Sequence, residues 1–352
     1  MDQDHGESRI PPLQAGMLPK VLAWRPAGLQ DLDSWAGLIG RTAAVEQPVW
    51  FERRADLVQI LESKKNHPAA NTIVGVDGDG VPRAYARITK NREGDKAHGF
   101  GCVDPEWQRR GIGAALLGWL EARTVDRFAE DRRAAGAGTA TPTGPAADPG
   151  PRLRVHTEQH HGHQAELFRR CGFTIVRYYN EMHRPLNMPL PGIQLDSGFE
   201  LVAMGPHLSE RVREAHNDAF RDHWGSEPRD EESWAETVND PLARPDLSAV
   251  VLDRATGEVA GYQLATHDPQ IAVTRGFTEG YTDLLGVRRE YRGRGIASAL
   301  LADAMRKFAA AGMDKASLDV DSENPTGALA LYTKMGYTAV NRTMAWDKKL
   351  EG

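Results

Sequence analysis

One arrangement occurs twice in this chain and restricts its fold more than any other feature: an apolar strand-like run, a basic glycine-bearing loop, and an apolar-striped helix. The later copy runs from Tyr281-Thr282-Asp283-Leu284-Leu285-Gly286-Val287 through Arg292-Gly293-Arg294-Gly295 into Ile296-Ala297-Ser298-Ala299-Leu300-Leu301. The earlier runs from Ala97 to Val103, through Gln108-Arg109-Arg110-Gly111, into Ile112-Gly113-Ala114-Ala115-Leu116-Leu117. There Ile112, Leu116 and Leu120 recur every fourth residue, the period of one buried helix face. Gln108 stands 184 residues before Arg292, whereas Gly172 stands 164 before Gly336. An Ala/Gly/Thr/Pro-rich stretch from Ala134 to Pro151 absorbs the twenty-residue difference, so the economical reading is a tandem duplication.

The rest of the chain follows the same plan twice. In the first half, a strand over Lys20–Trp24 leads to helices from about Asp31 and over Arg54–Glu62. A hairpin then turns at Asp77-Gly78-Asp79-Gly80, between 71–76 and 81–89. After the helix come a strand over Leu153–Thr157, a helix over Gln164–Cys171 and a strand over Phe173–Tyr179. The second half expects a strand at Phe199–Met204, helices at Leu208–Phe220 and Glu231–Val238, and a hairpin of 248–253 with 259–265. Beyond the second glycine loop come a strand at Ala316–Val320, a helix at Thr326–Met335, and two closing strands, Tyr337–Asn341 and Met344–Lys348. Pro185, Pro189, Pro191 and Gly192 place a hinge at about 186–197, giving domains over 20–186 and 198–352.

At 352 residues the chain has room for two cores. Its formal net charge of -6 offers no global attraction to nucleic acid or to an anionic membrane. No run approaches a bilayer-spanning length, and the first residues lack a signal-peptide layout, which points to the cytoplasm. Cys102 and Cys171 are the only cysteines, too few for a disulfide scaffold, and read as inert buried thiols.

Small residues between a strand and a helix start let a phosphate approach free backbone amides, and neighbouring arginines add charge-assisted contacts. Neither loop is a Walker A sequence, since no Gly-Lys-Ser/Thr follows, and neither has dinucleotide-fingerprint spacing. With these residues in place, the chain resembles the GCN5-related N-acetyltransferase superfamily over nearly all of residues 20–350. Its acyl-CoA motif, Gln/Arg-x-x-Gly-x-Gly/Ala, is matched by Arg292, Gly295 and Ala297 and by Gln108, Gly111 and Gly113. The tandem layout further resembles the mycothiol synthase group of two-domain acetyltransferases. The resemblance implies an α/β fold in each domain, a mixed, partly splayed and twisted sheet flanked by helices. It also implies acetyl-CoA as co-substrate, with no metal expected.

The resemblance further implies that the loop amides of Arg292, Gly293, Arg294, Gly295, Ile296 and Ala297 hold the CoA pyrophosphate, while Leu285, Gly286 and Val287 pair with the pantetheine arm. Val103 and Gln108, Arg109, Arg110, Gly111, Ile112 and Gly113 take the same places in the first domain. Asn324 falls where the family contacts the cofactor arm, or acts as a helix cap. Tyr332 falls where the family places the acid that reprotonates the CoA thiolate, or is an aromatic core anchor. Asp283 is the candidate base, on one strand face with Tyr281 by the period of two, or a structural carboxylate. The loop with Asp222, His223, Trp224 and Glu227 is a candidate acceptor site beside Tyr281, or a packing knot.

In the first domain Phe168 matches Tyr332 and cannot donate a proton, and His160 stands near the place of Asn324. The histidines at 160, 161 and 163 do not by themselves make a metal site. The expected function is therefore direct acetyl transfer from acetyl-CoA to a primary amine of a small polar molecule. Catalysis is expected in the second domain, and the protein is expected to be a monomer or homodimer without a nucleic-acid or membrane partner. The alternatives are acetylation of a cysteinyl amino-sugar conjugate and a non-catalytic acyl-CoA-binding regulator.

Overall fold

The computed structural model describes residues 16–91, 94–136, 150–221, 223–224, 226–324 and 327–351. They form two units, Met1–Val176 with Met344–Gly352, and Arg177–Thr343. In chain order the elements are β1 (Ala23–Arg25), α1 (Leu32–Glu46), α2 (Arg54–Glu62), α3 (Pro68–Asn71), β2 (Thr72–Val76), β3 (Pro82–Thr89), β4 (Ala97–Val103), α4 (Ile112–Gly136), β5 (Arg152–Glu158), α5 (Gly162–Arg170) and β6 (Thr174–Pro185). There follow β7 (Phe199–Ala203), α6 (Ser209–Ala219), α7 (Glu231–Val238), β8 (Ala249–Asp253), β9 (Val259–Thr266), α8 (Gln270–Arg275), β10 (Glu279–Val287), α9 (Ile296–Ala310), β11 (Lys315–Asp321), α10 (Ala328–Lys334) and β12 (Thr338–Lys349). Most of the linker-like stretch read at 134–151 lies outside the described residues. Among those described, no helix is long and apolar enough to cross a membrane.

The strand order in the first unit is β1-β2-β3-β4-β5, followed by the end of β12; in the second it is β7-β8-β9-β10-β11, followed by residues 177–185 of β6. Each unit is thus completed by a strand from the other half of the sequence. In the first, Arg154 grips Asp347 with two bonds of 2.7 and 2.8 Å. In the second, β6 pairs antiparallel with β11 from Pro185 opposite Lys315 to Tyr179 opposite Asp321. The 186–197 stretch read as a hinge belongs to the second unit: Leu186 is buried in its core, and Leu190 and Ile193 pack against it. The sequence boundary follows the repeat, whereas the packing boundary follows which strand completes which sheet. The two closing strands expected at 337–341 and 344–348 form the single strand β12; the polar pair Arg342-Thr343 continues it, with Arg342 Nε bonded to Asn180 Oδ1 at 3.1 Å.

Helical faces fall where the apolar periods place them. α1 buries Leu32, Trp35, Leu38 and Ile39 against Leu57, Val74 and Tyr85. α9 buries Leu300, Leu301, Met305 and Phe308, all at 0% exposure; each large side chain contributes roughly 1.5–3 kcal/mol by leaving water. α9 lies close on β10 because Gly280 has no side chain: a Cβ there would fall within 3 Å of the Phe308 ring.

The main site-forming feature is a strand separation. β10 and β11 pair in parallel only from Glu279–Lys315 to Thr282–Leu318. Beyond that point β10 continues along β9 to Val287, with a bulge between Thr282 and Leu284, while β11 follows β6. In the first unit the parallel pairing of β4 with β5 is shorter, Ala97–Leu153 and His98–Arg154.

Candidate functional site: a strand cleft and a helix-start loop

After β10 the chain makes a turn at Arg289–Tyr291 and enters α9 through Gly293 and Gly295, at φ 78° and 76°. The helix ladder begins with Ala299 N–H donating to Gly295 O at 3.0 Å. The amides of Ile296, Ala297 and Ser298 therefore have no carbonyl one turn back within the helix. A Cβ built on Gly293 or Gly295 meets nothing within 4 Å. Open space, first-turn amides and the positive helix end suit a pyrophosphate, and the site fits CoA in this respect.

The side chain of Arg292 has another job. Its Nε donates to Val287 O at 3.3 Å and its Nη2 to Ala219 O at 2.8 Å, tying the end of β10 to the end of α6. Gln108 does the same in the first unit, where its Nε2 donates to Val103 O at 3.3 Å and to Glu46 Oε1, at the end of α1, at 3.0 Å. The side chain of the first residue of each motif is thus a brace. The first loop differs at one backbone position: Arg109 takes φ 63° where the second unit has Gly293, while Gly111, at φ 80°, matches Gly295. Arg110 stacks over Trp107 at 4.6 Å, and Ile112 is buried. A Cβ on Gly113 would come 3.1 Å from Leu167.

Along β10, Gly286 lies against Tyr262, where a Cβ would come 2.5 Å from the ring. Leu285 packs on the cluster that contains Tyr332, Val320 and Phe308. Tyr332 is 8% exposed, and burial pushes its phenol up to about 12. A proton is therefore held on that oxygen at neutral pH. The β10 bulge interrupts the period of two at Asp283, so alternation alone does not assign its face. Solvent reaches its side chain although it lies deep within the unit, which places it on an open cleft. Depth raises its pKa; Arg229 opposes this and Asp240 adds to it. Tyr281 is hydrogen-bonded to Asp319, and burial holds its phenol well above the usual value.

Asp222 lies outside the described residues. His223 Nε2 meets Asn324 Nδ2 at 3.3 Å, and Arg177 stacks over Trp224 at 4.3 Å while its Nε lies 3.3 Å from Asp321. The loop after α6 therefore touches the loop that leads from β11 to α10. Glu227 lines a cavity of about 540 Å³ with Arg213, Asn217, Asp218, Arg221 and Arg288.

Several site residues carried no readable sequence signal. Arg229, Asp319, and the pair His216–Tyr262, joined at 2.6 Å, come from separate elements. Burial holds His216 neutral, its pKa lowered to about 3.

In the first unit Phe168 packs edge-on to Trp346 with ring centroids 5.8 Å apart. His161 bonds Glu46 O at 2.7 Å, and His160 and His163 lie 3.4 and 3.6 Å from Glu158 and Glu46. Among the described residues, no group of three or more His, Cys, Asp or Glu is arranged to hold a metal ion. His98 and His156 stack at 6.1 Å beside the β4–β5 separation, with pKa values lowered by burial to about 3 and about 4. Cys102 and Cys171, expected to be buried, are half-buried, and partial loss of water around each raises its pKa.

Comparison with known proteins agrees with this architecture. A mycothiol acetyltransferase of Salinispora arenicola is 28% identical over 292 residues, covering 79% of this chain and 81% of that protein. One of Thermobispora bispora is 31% identical over 180 residues, covering 49% of this chain and 58% of that protein. A GCN5-related N-acetyltransferase from Sphaerobacter thermophilus superposes with a TM-score of 0.67 at 21% identity, covering 95% of this chain and 98% of that one. A tandem GNAT protein from the clavulanic acid biosynthesis pathway gives a TM-score of 0.64 at 16% identity, covering 94% and 99%. Identities this low bear on the fold alone. The acetyltransferase (GNAT) family profile matches residues 39–142 and 209–337, one segment in each half of the repeat. The chain thus belongs to the acetyltransferase (GNAT) family, as a tandem two-domain member whose general chemistry is acetyl-CoA-dependent N-acetyl transfer.

Proposed function

We propose that the second unit moves an acetyl group from acetyl-CoA to a primary amine of a small polar acceptor by direct transfer, while the first unit binds acyl-CoA or serves as a scaffold. The carrying observation is the β10–β11 separation, with a helix-start loop at its end and Asp283 open to solvent at its bulge. When bound, acetyl-CoA supplies the thioester-linked acetyl group. The amides of Arg292–Ala297 would hold its pyrophosphate, with Leu285–Val287 and Asn324 along the arm. Asp283 accepts the proton that the acceptor ammonium must lose before its nitrogen attacks, and its raised pKa makes it the stronger base. Tyr332 donates its proton to the departing sulfur as negative charge develops there. Phe168 lacks that proton, which favours the second unit.

The test is an amine panel read by acetyl-CoA-dependent free-thiol release, with Tyr332→Phe alongside. The variant should lose about 10²- to 10⁴-fold in kcat. Unchanged turnover at saturating substrate would remove Tyr332 from the acid role. A cysteinyl amino-sugar conjugate belongs in the panel, because the relatives matched above are named mycothiol acetyltransferases.

A further inference from the structure

Carboxylates from three neighbouring strands stand at the fork where β10 leaves β11. β11 pairs with β6 with Asp319 directly opposite Glu181 and Ser317 opposite His183, and with β10 with Ser317 opposite Tyr281. Residues opposite one another in register share a face of the sheet. Tyr281, Ser317 and His183 therefore form one row of that face, and Asp319 with Glu181 the next. Thr282 is the last β10 residue paired with β11, opposite Leu318, so Asp283 and Asp319 are the first residues beyond the fork on its two arms. Solvent reaches both. The Tyr281 hydroxyl donates to Asp319, which adds a hydrogen bond but no positive charge.

Glu181 comes from the first half of the sequence and is only 5% exposed in its side chain. Its Oε1 accepts from Arg275 Nη1 at 2.6 Å and lies 2.6 Å from His183 Nε2, whereas Oε2 is buried and meets no donor among the described residues. A buried carboxylate oxygen without a donor is costly, and this one belongs to the residue opposite Asp319. Charges farther back on the face are already engaged: Glu279 accepts from Ser317, and Lys315 stacks over Phe277 at 3.5 Å. Arg229 and Asp240 act on Asp283 with opposite signs.

We infer that the acceptor carries a second positive charge, in the manner of a diamine, with its reacting amine at Asp283 and its second ammonium at Asp319 and Glu181. This rests on the amine-transfer reading above and narrows its substrate class. An ammonium brings three donors, enough to meet Asp319 and the orphaned oxygen of Glu181 together. Neighbouring strands lie about 4.8 Å apart, so the reach from Asp283 across Asp319 to Glu181 is roughly 5–10 Å, which suits the two nitrogens of a short diamine. An acceptor with an anionic group at that end would be repelled.

The experiment compares diamines with monoamines of the same chain length, putrescine with butylamine and cadaverine with pentylamine, on the full chain by free-thiol release. The wild type should favour the diamine of each pair by about tenfold or more in kcat/KM, beyond the statistical gain of two reactive ends. Asp319→Asn should collapse that ratio, and Asp319→Glu should restore part of it. Using the ratio cancels any effect of the substitution on the transfer step, which both members of a pair share. Monoamines acetylated as well as or better than their diamines, or a ratio unmoved by Asp319→Asn, would overturn the inference while leaving amine transfer intact. Failure of every amine in the panel would overturn both. If Asp319→Asn does not fold, Glu181→Gln takes its place, with the same collapse expected and the same result refuting it.

Discussion

Gly295→Ala and Gly111→Ala are the same perturbation in two places, and they should part company only in function. Both glycines are left-handed, at φ 76° and 80°, and neither Cβ would meet a protein atom within 4 Å. The cost in stability is therefore conformational rather than steric. An L-residue in this region costs roughly 1–2 kcal/mol, and restricting the unfolded chain returns about 0.4–1 kcal/mol. Each variant should lose about 0.5–1 kcal/mol, readable as a Tm lower by about 1–4 °C for a unit of this size. At Gly295 the new methyl also enters the space before the first-turn amides. Losing one charge-assisted bond to a phosphate costs about 1.5–3 kcal/mol, or about 10- to 100-fold in KM for acetyl-CoA. Thermal melts with acetyl-CoA titrations of the free-thiol assay measure both quantities. Equal destabilisation with an unchanged KM in Gly295→Ala would refute the cradle, and a collapse of turnover only in Gly111→Ala would move catalysis to the first unit.

Two further outcomes follow from the geometry. Arg109→Gly relieves the left-handed arginine and should stabilise the first unit by up to about 1 kcal/mol by chemical denaturation, after the entropy lost with glycine is subtracted. His216 has a folded pKa lowered to about 3 from 6.5, so below 6.5 the unfolded chain binds the extra proton. Its contribution is present above pH 6.5 and is lost as pH falls toward 3. A Tm–pH profile should therefore decline over that window, and His216→Gln should flatten it in the second unit.

Much of the fold was legible because local signals agreed with it. Arg54–Glu62 and Glu231–Val238 end where the apolar period ends, and the Asp77–Gly80 turn closes the hairpin. The six-residue α8 escaped because a single short turn of helix shows no period. The 186–197 prolines resembled a linker because the core that takes Leu186, Leu190 and Ile193 is assembled from distant residues. In the site, the glycine loop was readable as a contiguous motif. Arg229 was not, because nothing near it in sequence marks a loop arginine whose bonded neighbours are Asn217 and Thr237.

The sequence by itself determined the duplication, the two strand–loop–helix segments and the difference between Tyr332 and Phe168, since each is carried by contiguous residues and their period. Only tertiary structure decided how far β10 and β11 stay paired, that a bulge falls at Asp283, and which strand completes each sheet. It also engaged the side chains of Arg292 and Gln108 as braces between a strand end and a helix end. Those outcomes depend on which carbonyls and side chains long-range packing brings within reach, and no local pattern encodes that.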